Sequence, residues 1–520
     1  MSKQPASIFN DVIGPVMRGP SSSHVAAAAR IGRLGRQMVK GQLKEVIVEF
    51  DPKGSLATTY HGHGSDMGLV GGLLGYEPQD ERLPKSVGIA KEEGLDVSFH
   101  IVDYEAPHPN TYRMTLISDN DEKVFTSSIS TGGGMILFEN IEGYEVKIAG
   151  DFYETLVFTS DQATANKLKA HLETTALPIE YLQESMAESG VLLVIKTTMA
   201  IETKIIQDLE AQGATRTMTL SPVLPIQSSK DCKVPFITAR EMLEQNGEDK
   251  SLWELALSYE SIRGGITEIE VFEKMKSIVT LMDKSIKSGL EGTTYEDRIL
   301  HRQSHLIEAG VLQQKLLPGD VMNTVIAYIT SMMEVKSSMG VIVAAPTAGS
   351  CGGLPGTIIG ACDAMNFSID DATKGMLAAG MIGLFIAEHA TFAAEVGGCQ
   401  VECGAGSSMA AGGLVALMGG TAKEAVDAAS MALQNVMGMV CDPVADRVEV
   451  PCLGKNVMAG SNAIACANMA LAGFDRVIPL DETIASMYKV GHMLPSELRC
   501  TGHGGLSITP TAIKLYKDMN

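Results

Sequence analysis

GGCQVECGAGSSMAAGG (397–413) and CDPVADRVEVPC (441–452) carry four cysteines, of which Cys399, Cys441 and Cys452 stand out. Each lies among small, uncharged residues with Gly, Pro or Asp beside it. A chain that wraps a soft metal cluster needs this composition, because thiolates bind iron and backbone N–H groups must approach sulfide closely. No tight CxxC pair occurs among the three. A cluster held by three cysteines leaves one iron without a protein ligand, and an open iron is a Lewis acid able to polarise a hydroxyl.

The sequence around these loops is helical. ATKGMLAAGMIGLFIAEHATFAAE (372–395), AVDAASMALQNVMGMV (425–440) and GSNAIACANMALAG (460–473) are apolar on most faces, which suits a bundle core or a face against another subunit. Upstream, WELALSYESIRG (253–264) and EVFEKMKSIVTLMDKSIKSGL (270–290) are amphipathic. From about 235 the pattern predicts helix to the end of the chain. Ser337 to Ala361 carries no charge, but Pro346, Pro355 and a run of glycines make a membrane span a poor reading. A buried element leading into a glycine-rich loop, APTAGSCGGLPG (345–356), fits better.

The N-terminal part differs. VKGQLKEVIVEFDP (39–52), GSLATTYHGHGSD (54–66), LDVSFHIVDY (95–104), TYRMTLISD (111–119) and EKVFTSSIS (122–130) read as strands. SSSHVAAAARIGRLGRQMVKG (21–41) reads as a serine-capped helix and SDMGLVGGLLGY (65–76) as another. Residues 1–145 are therefore predicted as an α+β domain with mostly antiparallel strands. Residues 146–222 alternate strand, helix, strand, helix and strand, close to the βαββαβ order of a small ferredoxin-like α/β sandwich with one strand poorly marked. A polar linker, SSKDCKVPFITAR (228–240), leads into the all-α domain over 235–520.

Composition narrows the class. The chain has 520 residues, 45% apolar and 20% charged, enough for several globular domains. A net charge of −21 argues against a nucleic-acid surface, and no polybasic stretch suggests a membrane face. The N-terminus has no apolar signal-peptide region. Nine cysteines, an odd number, imply free thiols or metal ligands in a reducing compartment, and so a cytoplasmic protein.

Several polar clusters stand apart from packing. GPSSSH (19–24) places Ser21, Ser22, Ser23 and His24 where a turn opens a helix, a setting suited to a carboxylate; one serine alone would be only a cap. HGHGSD (61–66) holds His63 between glycines, PHPNT (107–111) sets His108 and Asn110 at the mouth of a strand, and STGGG (130–134) lets backbone near Gly133 approach a ligand. STGGG lacks the lysine of a phosphate loop. Ser350 and Cys351 in the 345–356 loop are candidates for substrate contact, and Cys403 for a further ligand. Cys232, Cys362 and Cys466 read as ordinary core thiols.

Taken in order, these motifs resemble the iron–sulfur-dependent L-serine dehydratases (L-serine ammonia-lyases) over nearly the whole chain. GPSSSH, GHGSD, HPNT and the glycine run are similar to the family's β domain. APTAGSCGG, GGCQ, the CDPV to VPC segment and GGL are similar to its α domain. The resemblance implies a 4Fe-4S cluster on Cys399, Cys441 and Cys452 whose fourth iron takes the substrate, an ACT-like middle module, and a homodimer or higher homo-oligomer. It departs from the family's pattern at Val25, where threonine is usual, and at Ala348, where many members have asparagine. Some members end in a cysteine that caps the open iron; this chain ends in KLYKDMN, with Cys500 upstream.

The implied reaction is β-elimination of water from L-serine, giving pyruvate and ammonia. His63 and His108 are candidate base and acid in either order, with His24 and Ser21 to Ser23 as carboxylate or amino-group contacts, and Asn110, Gly133 and Ser350 near the substrate. Elimination on L-threonine or L-cysteine is the enzymatic alternative. An iron–sulfur amino-acid sensor is the non-enzymatic one, and a sensor needs no convergent histidines.

Overall fold

The structure is a computed structural model and describes residues 4–175, 177–230, 232–247 and 249–519. Strand β1 (Val16–Arg18) is followed by helix α1 (Ala27–Gln37), β2 (Leu43–Phe50), α2 (Ser65–Leu73), β3 (Asp96–Ile101), β4 (Thr111–Ser118), β5 (Lys123–Gly132), β6 (Met135–Ile141) and β7 (Tyr144–Ile148). Strands β2 to β7 form one sheet in the order β3-β2-β4-β5-β6-β7. Only the β2–β3 pair is parallel. Alternation drives it: Val46, Val48 and Phe50 of β2 point into the core while Glu45 and Glu49 do not.

Helices α1 and α2 cross closely because glycines remove the side chains between them. A Cβ on Gly72 would lie 2.1 Å from the Ala29 carbonyl oxygen, and one on Gly32 2.4 Å from that of Leu69. Two expectations fail here. Residues 54–66 are not a strand: Leu56–Thr59 is a helical turn, because the Ser55 carbonyl accepts both the N–H and the hydroxyl of Thr59. Nor does serine cap the first helix. Ser21 sits at the cap position of a wide turn (Ser22–Ala26) without a capping bond, its hydroxyl going to His24 instead.

The middle unit runs β8 (Tyr153–Thr159), α3 (Gln162–Thr174), β9 (Ile179–Ala187), β10 (Gly190–Thr197), α4 (Thr203–Ala211) and β11 (Arg216–Leu220), with strand order β11-β8-β10-β9, all antiparallel. One face of this sheet, with Val157, Val191, Leu193 and Ile195, packs under α3 and α4. The other, with Leu156, Phe158, Leu192 and Val194, joins the core of the six-stranded domain. Burial on both faces explains why VLLVIKTT is apolar without alternation. The strand that sequence reading missed is β9. It is an edge strand with Leu182 and Met186 exposed, so its pattern is weak.

The remainder is a helical bundle: α5 (Leu252–Gly264), α6 (Glu268–Glu291), α7 (Asp320–Ser337), α8 (Gly353–Ala364), α9 (Ile369–His389), α10 (Cys403–Leu417), α11 (Ala422–Asn435), α12 (Cys452–Leu471), α13 (Leu480–Met493) and α14 (Pro510–Met519), joined by shorter helical turns. Helix α10, wholly buried, is wrapped by α8, α9, α11 and α12. The bundle is not purely helical. Strand β12 (Val341–Val343) pairs antiparallel with β1. The segment before it joins too: Ile8, Phe9, Val12, Ile13 and Met17 belong to the bundle's core, and Ser7 and Ile8 bind the buried Glu260 carboxylate at 2.5 and 2.8 Å. A sequence pattern cannot reveal that a segment this far upstream fills a distant core.

The α1–α2 crossing is testable. Gly72→Ala should destabilise the protein by about 1–3 kcal/mol, the usual scale of overpacking. Gly88→Ala, where nothing lies within 4 Å of the added carbon, should be neutral or gain up to about 1 kcal/mol. Denaturation midpoints measure both, and equal midpoints would contradict the crossing.

Candidate active site

The N-terminal motifs converge. His24 is fully buried; its Nδ1 lies 3.0 Å from the Ser21 hydroxyl and 3.1 Å from that of Ser23, and its Nε2 lies 2.9 Å from Thr59 Oγ1. Thr59 donates its hydroxyl proton to the Ser55 carbonyl, and Ser23 donates to Glu395 at 2.8 Å. This network assigns the His24 proton to Nε2, given to Thr59, with Nδ1 accepting from Ser21. Burial pushes its pKa down to about 3, so the ring is neutral and both nitrogens are engaged. Ser22 accepts from the Ala348 N–H at 3.2 Å.

His63 is different. Its ring meets that of His24 edge-on with centroids 4.7 Å apart, and both of its buried ring nitrogens lack a hydrogen-bond partner. Burial first, then the neighbouring His24 ring and the charges of Arg447 and Lys336, hold its pKa well below the ordinary value. A neutral imidazole with a free lone pair is a competent base. The loop carrying it docks on the segment between Cys441 and Cys452. Arg447 donates to the Gly62 carbonyl at 3.2 Å, and a Cβ on Gly62 would lie 2.9 Å from the Asp446 carbonyl oxygen. His61, by contrast, points outward and binds Asp66 at 2.6 Å.

His108 is half-buried, accepts from the Asn110 N–H at 3.1 Å, and lines a cavity of about 730 Å³ with Gly132, Thr391 and Phe392. Burial lowers its pKa, opposed by Glu395. Asn110 accepts from Ser55 at 2.6 Å, but its side-chain NH₂ has no partner, nor do the buried hydroxyls of Ser128 and Ser130. Gly133 and Gly134 turn the β5–β6 hairpin. Its tip is seated between Pro346, the Asp11 backbone and Ala393, and Arg30 donates to the Gly134 carbonyl at 2.6 Å. Ser350 is buried within its own loop, donating to the Ala345 carbonyl at 3.2 Å and accepting from the Thr347 N–H.

The sulfur site lies opposite. Cys399 follows Gly398, whose φ is +75°. Cys399 and Cys441 are neighbouring thiols, and with the Glu402 carboxylate their ligand atoms lie within 4.8 Å of one another. Cys441 is held by two backbone bonds, to the Leu498 carbonyl at 2.8 Å and from the Cys500 N–H at 3.0 Å, which bring the Cys500 thiol against it. Cys403 and Cys452 stand at the first positions of α10 and α12, where the helix dipole favours negative sulfur. Asn456 binds Cys403 Sγ and the Cys452 and Gly349 carbonyls, fixing these two helix ends to the 345–356 loop. Backbone strain collects here: Ala445, Asp446 and Cys500 hold left-handed φ of 50°, 52° and 61°.

Without a metal these thiols are protonated. Contact with Cys441, then burial, pushes Cys399 well above its ordinary range, and burial and then Cys399 push Cys452 up to about 12. Lys455 is the cation beside them, 3.8 Å from Cys399 Sγ and bound to the Val440 carbonyl and Asp442. A buried set of soft donors with cations nearby fits a soft metal centre, which would hold the sulfurs as thiolates and release their protons.

The cysteine loops and all three histidines thus meet within one chain, through Ser23–Glu395, Ser22–Ala348 and Gly62–Arg447. Sequence reading missed Glu395 and Glu402, which flank the GGC motif. Glu402 accepts from Thr347 at 2.6 Å, and burial, then Glu395, raises its pKa to about 7. It discounted Cys500, and it had no signal for Lys336 or Lys455.

Comparison with known proteins identifies the family. Residues 196–507 match the family model "Serine dehydratase alpha chain" and residues 11–92 match "Serine dehydratase beta chain". The chain is similar to the L-serine dehydratase alpha chain of Peptoniphilus asaccharolyticus, 38% identical over 54% of this chain and 97% of that one. It is also similar to the probable L-serine dehydratase beta chain of Bacillus subtilis, 36% identical over 39% and 92%. The L-serine dehydratase of Streptomyces coelicolor aligns over 94% of this chain and 96% of its own length at 26% identity. The chain belongs to the serine dehydratase family, with the matches to both family chains in one polypeptide.

Proposed function

We propose that this protein is an L-serine dehydratase that eliminates water from L-serine to give pyruvate and ammonia. The observation that carries this reading is the unpartnered neutral His63, buried where the histidine loops face the clustered thiols. The thiols of Cys399, Cys441 and Cys452 would hold a 4Fe-4S cluster, which when bound supplies a Lewis acid for the leaving hydroxyl. Every other role falls to this chain's side chains.

Glu395 supports an ammonium contact. Its carboxylate adjoins the linked Ser21 and Ser23 hydroxyls, and an anion there would meet like charge, so this corner suits the substrate's α-amino group rather than its carboxylate. His63 takes the α-proton on a ring nitrogen. His24, saturated by hydroxyls and Thr59, positions His63 and the serines. Asn110 and Ser130 offer spare polar groups to the substrate. His108, on the large cavity, stands on the approach from solvent and returns a proton. Burial of His24 and His63 keeps bulk water from the carbanion-like centre. The resulting aminoacrylate then tautomerises and hydrolyses unaided.

The domain boundaries we assign are 1–145, 146–222 and 235–520, with the middle unit as an ACT-like module. Its buried Lys196–Glu154 ion pair stands apart from the histidine and cysteine loops, and the unit tunes activity or assembly. A cytoplasmic homo-oligomer is the expected form.

Cys399→Ser and Cys441→Ser should each remove bound iron and all activity, whereas Cys362→Ser, a core thiol, should leave both intact. Iron and sulfide counts after anaerobic purification decide this, and full iron in either of the first two variants would refute the cluster site. His63→Ala should lower turnover by about a hundredfold or more with unchanged iron. Because the His63 pKa is depressed, kcat/KM should stay level as pH falls from 8 to about 6.5, the unperturbed value, and drop only below it. The same sign applies to stability. His24 and His63 are neutral when folded but protonate when unfolded, so below pH about 6.5 the unfolded chain binds more protons and stability falls with pH. A level stability between pH 7 and 5 would contradict it.

A further inference from the structure

Lys336, near the end of α7, is among the largest fully buried side chains of the protein. Its ammonium donates to the Val448 carbonyl, its only hydrogen bond among the described residues. No carboxylate of the described residues lies within ion-pair distance of it. Two N–H donors are left over on a charge that is out of water, an arrangement that is costly unless an anion completes it. The other cations nearby are committed. Arg447 binds Asp297 at 2.7 Å and the Gly62 carbonyl, and Lys455 binds Asp442, Val440 and Cys399.

Val448 lies in the 441–452 segment beside Arg447, which binds the Gly62 carbonyl of the His63 loop, so the Lys336 ammonium sits where the histidine loop meets the cysteine loop. Its charge is felt there by His63, Cys351, Cys452 and Glu402. Unlike Lys455, it makes no hydrogen bond to sulfur among the described residues. The cation bonded on the cluster side is already present; Lys336 is the one left with spare donors.

We propose that Lys336 binds the α-carboxylate of the substrate, holding the amino acid by its acid end while Glu395 holds its amino end. This rests on the dehydratase reading. A zwitterion clamped between a buried cation and a buried anion has one rotation left, about the axis joining them. His63 then meets the α-hydrogen and the side-chain hydroxyl is turned toward the sulfur site. The clamp selects α-amino acids with a free carboxylate and rejects amides and peptides.

The test compares L-serine with L-serinamide, which keeps the amine and hydroxyl but loses the negative charge. Binding to anaerobically prepared protein is read from the shift of melting temperature with ligand concentration, each ligand being kept in excess so that turnover does not deplete it. Wild-type protein should prefer L-serine by at least about thirtyfold, the scale of a buried hydrogen-bonded charge pair. Lys336→Gln, which keeps a donor for Val448, should reduce the preference to near unity with iron content unchanged. Lys336→Arg should keep most of it. A wild-type protein that binds both ligands equally overturns the assignment whether or not a variant folds. So does Lys336→Gln with wild-type preference, and so does loss of iron with the preference retained, which would make Lys336 a counter-ion of the cluster. Protein that discriminates as expected but does not dehydrate L-serine would leave the clamp standing and refute the reaction.

Discussion

Among the described residues, the Glu395 carboxylate takes its hydrogen bond from the other half of the chain. It is buried at the edge of the helical bundle, and the donor that reaches it is Ser23 of the six-stranded domain. A buried carboxylate left without a donor costs more than most single contacts contribute. The two halves must therefore close on each other at this point, and closing brings everything else with it. Once Ser23 is on Glu395, His24 is held beside it, His63 is packed edge-on against His24, and Gly62 is against the loop before Cys452. Domain packing and site assembly are one event.

Much of this was legible in the residues and some was not. Cys399 and Cys441 announce themselves because small residues must surround a sulfur that ligates metal, and the histidine loops because glycine on both sides of an imidazole has little packing use. Glu395 and Glu402 carried no such sign. An acidic residue in an apolar segment reads as a solvated position until its neighbours are known. Cys500 is far in sequence from the other cysteines, and two backbone hydrogen bonds to Cys441, not any pattern, bring it there. Lys336 is hidden for the same reason: a lysine near a helix end is ordinarily a surface residue, and only burial on every side makes it unusual.

The fold was read in the same uneven way. Strands buried on one face, such as β2, alternate and are plain. Strand β9, polar on a free edge, is weak, and the turn at 54–66 mimics a strand because Thr and Tyr have β propensity that a hydrogen bond to Ser55 overrides. Long-range pairing was invisible throughout, since a three-residue strand like β1 has no period of its own.

That pairing has a consequence for how the chain comes together. Ser7 and Ile8 bind Glu260, and β1 pairs with β12, so residues 7–18 supply part of a core built mostly from the helical bundle. During synthesis these residues emerge long before the helices that bury them, and their apolar side chains wait in water or against a chaperone. The bundle in turn stays open along one seam until the leading segment returns to it. Loop closure over such a span slows folding, and the exposed seam favours association with other chains in the interval. The order of assembly is thus inverted: a segment made before the bundle is among the last to find its place.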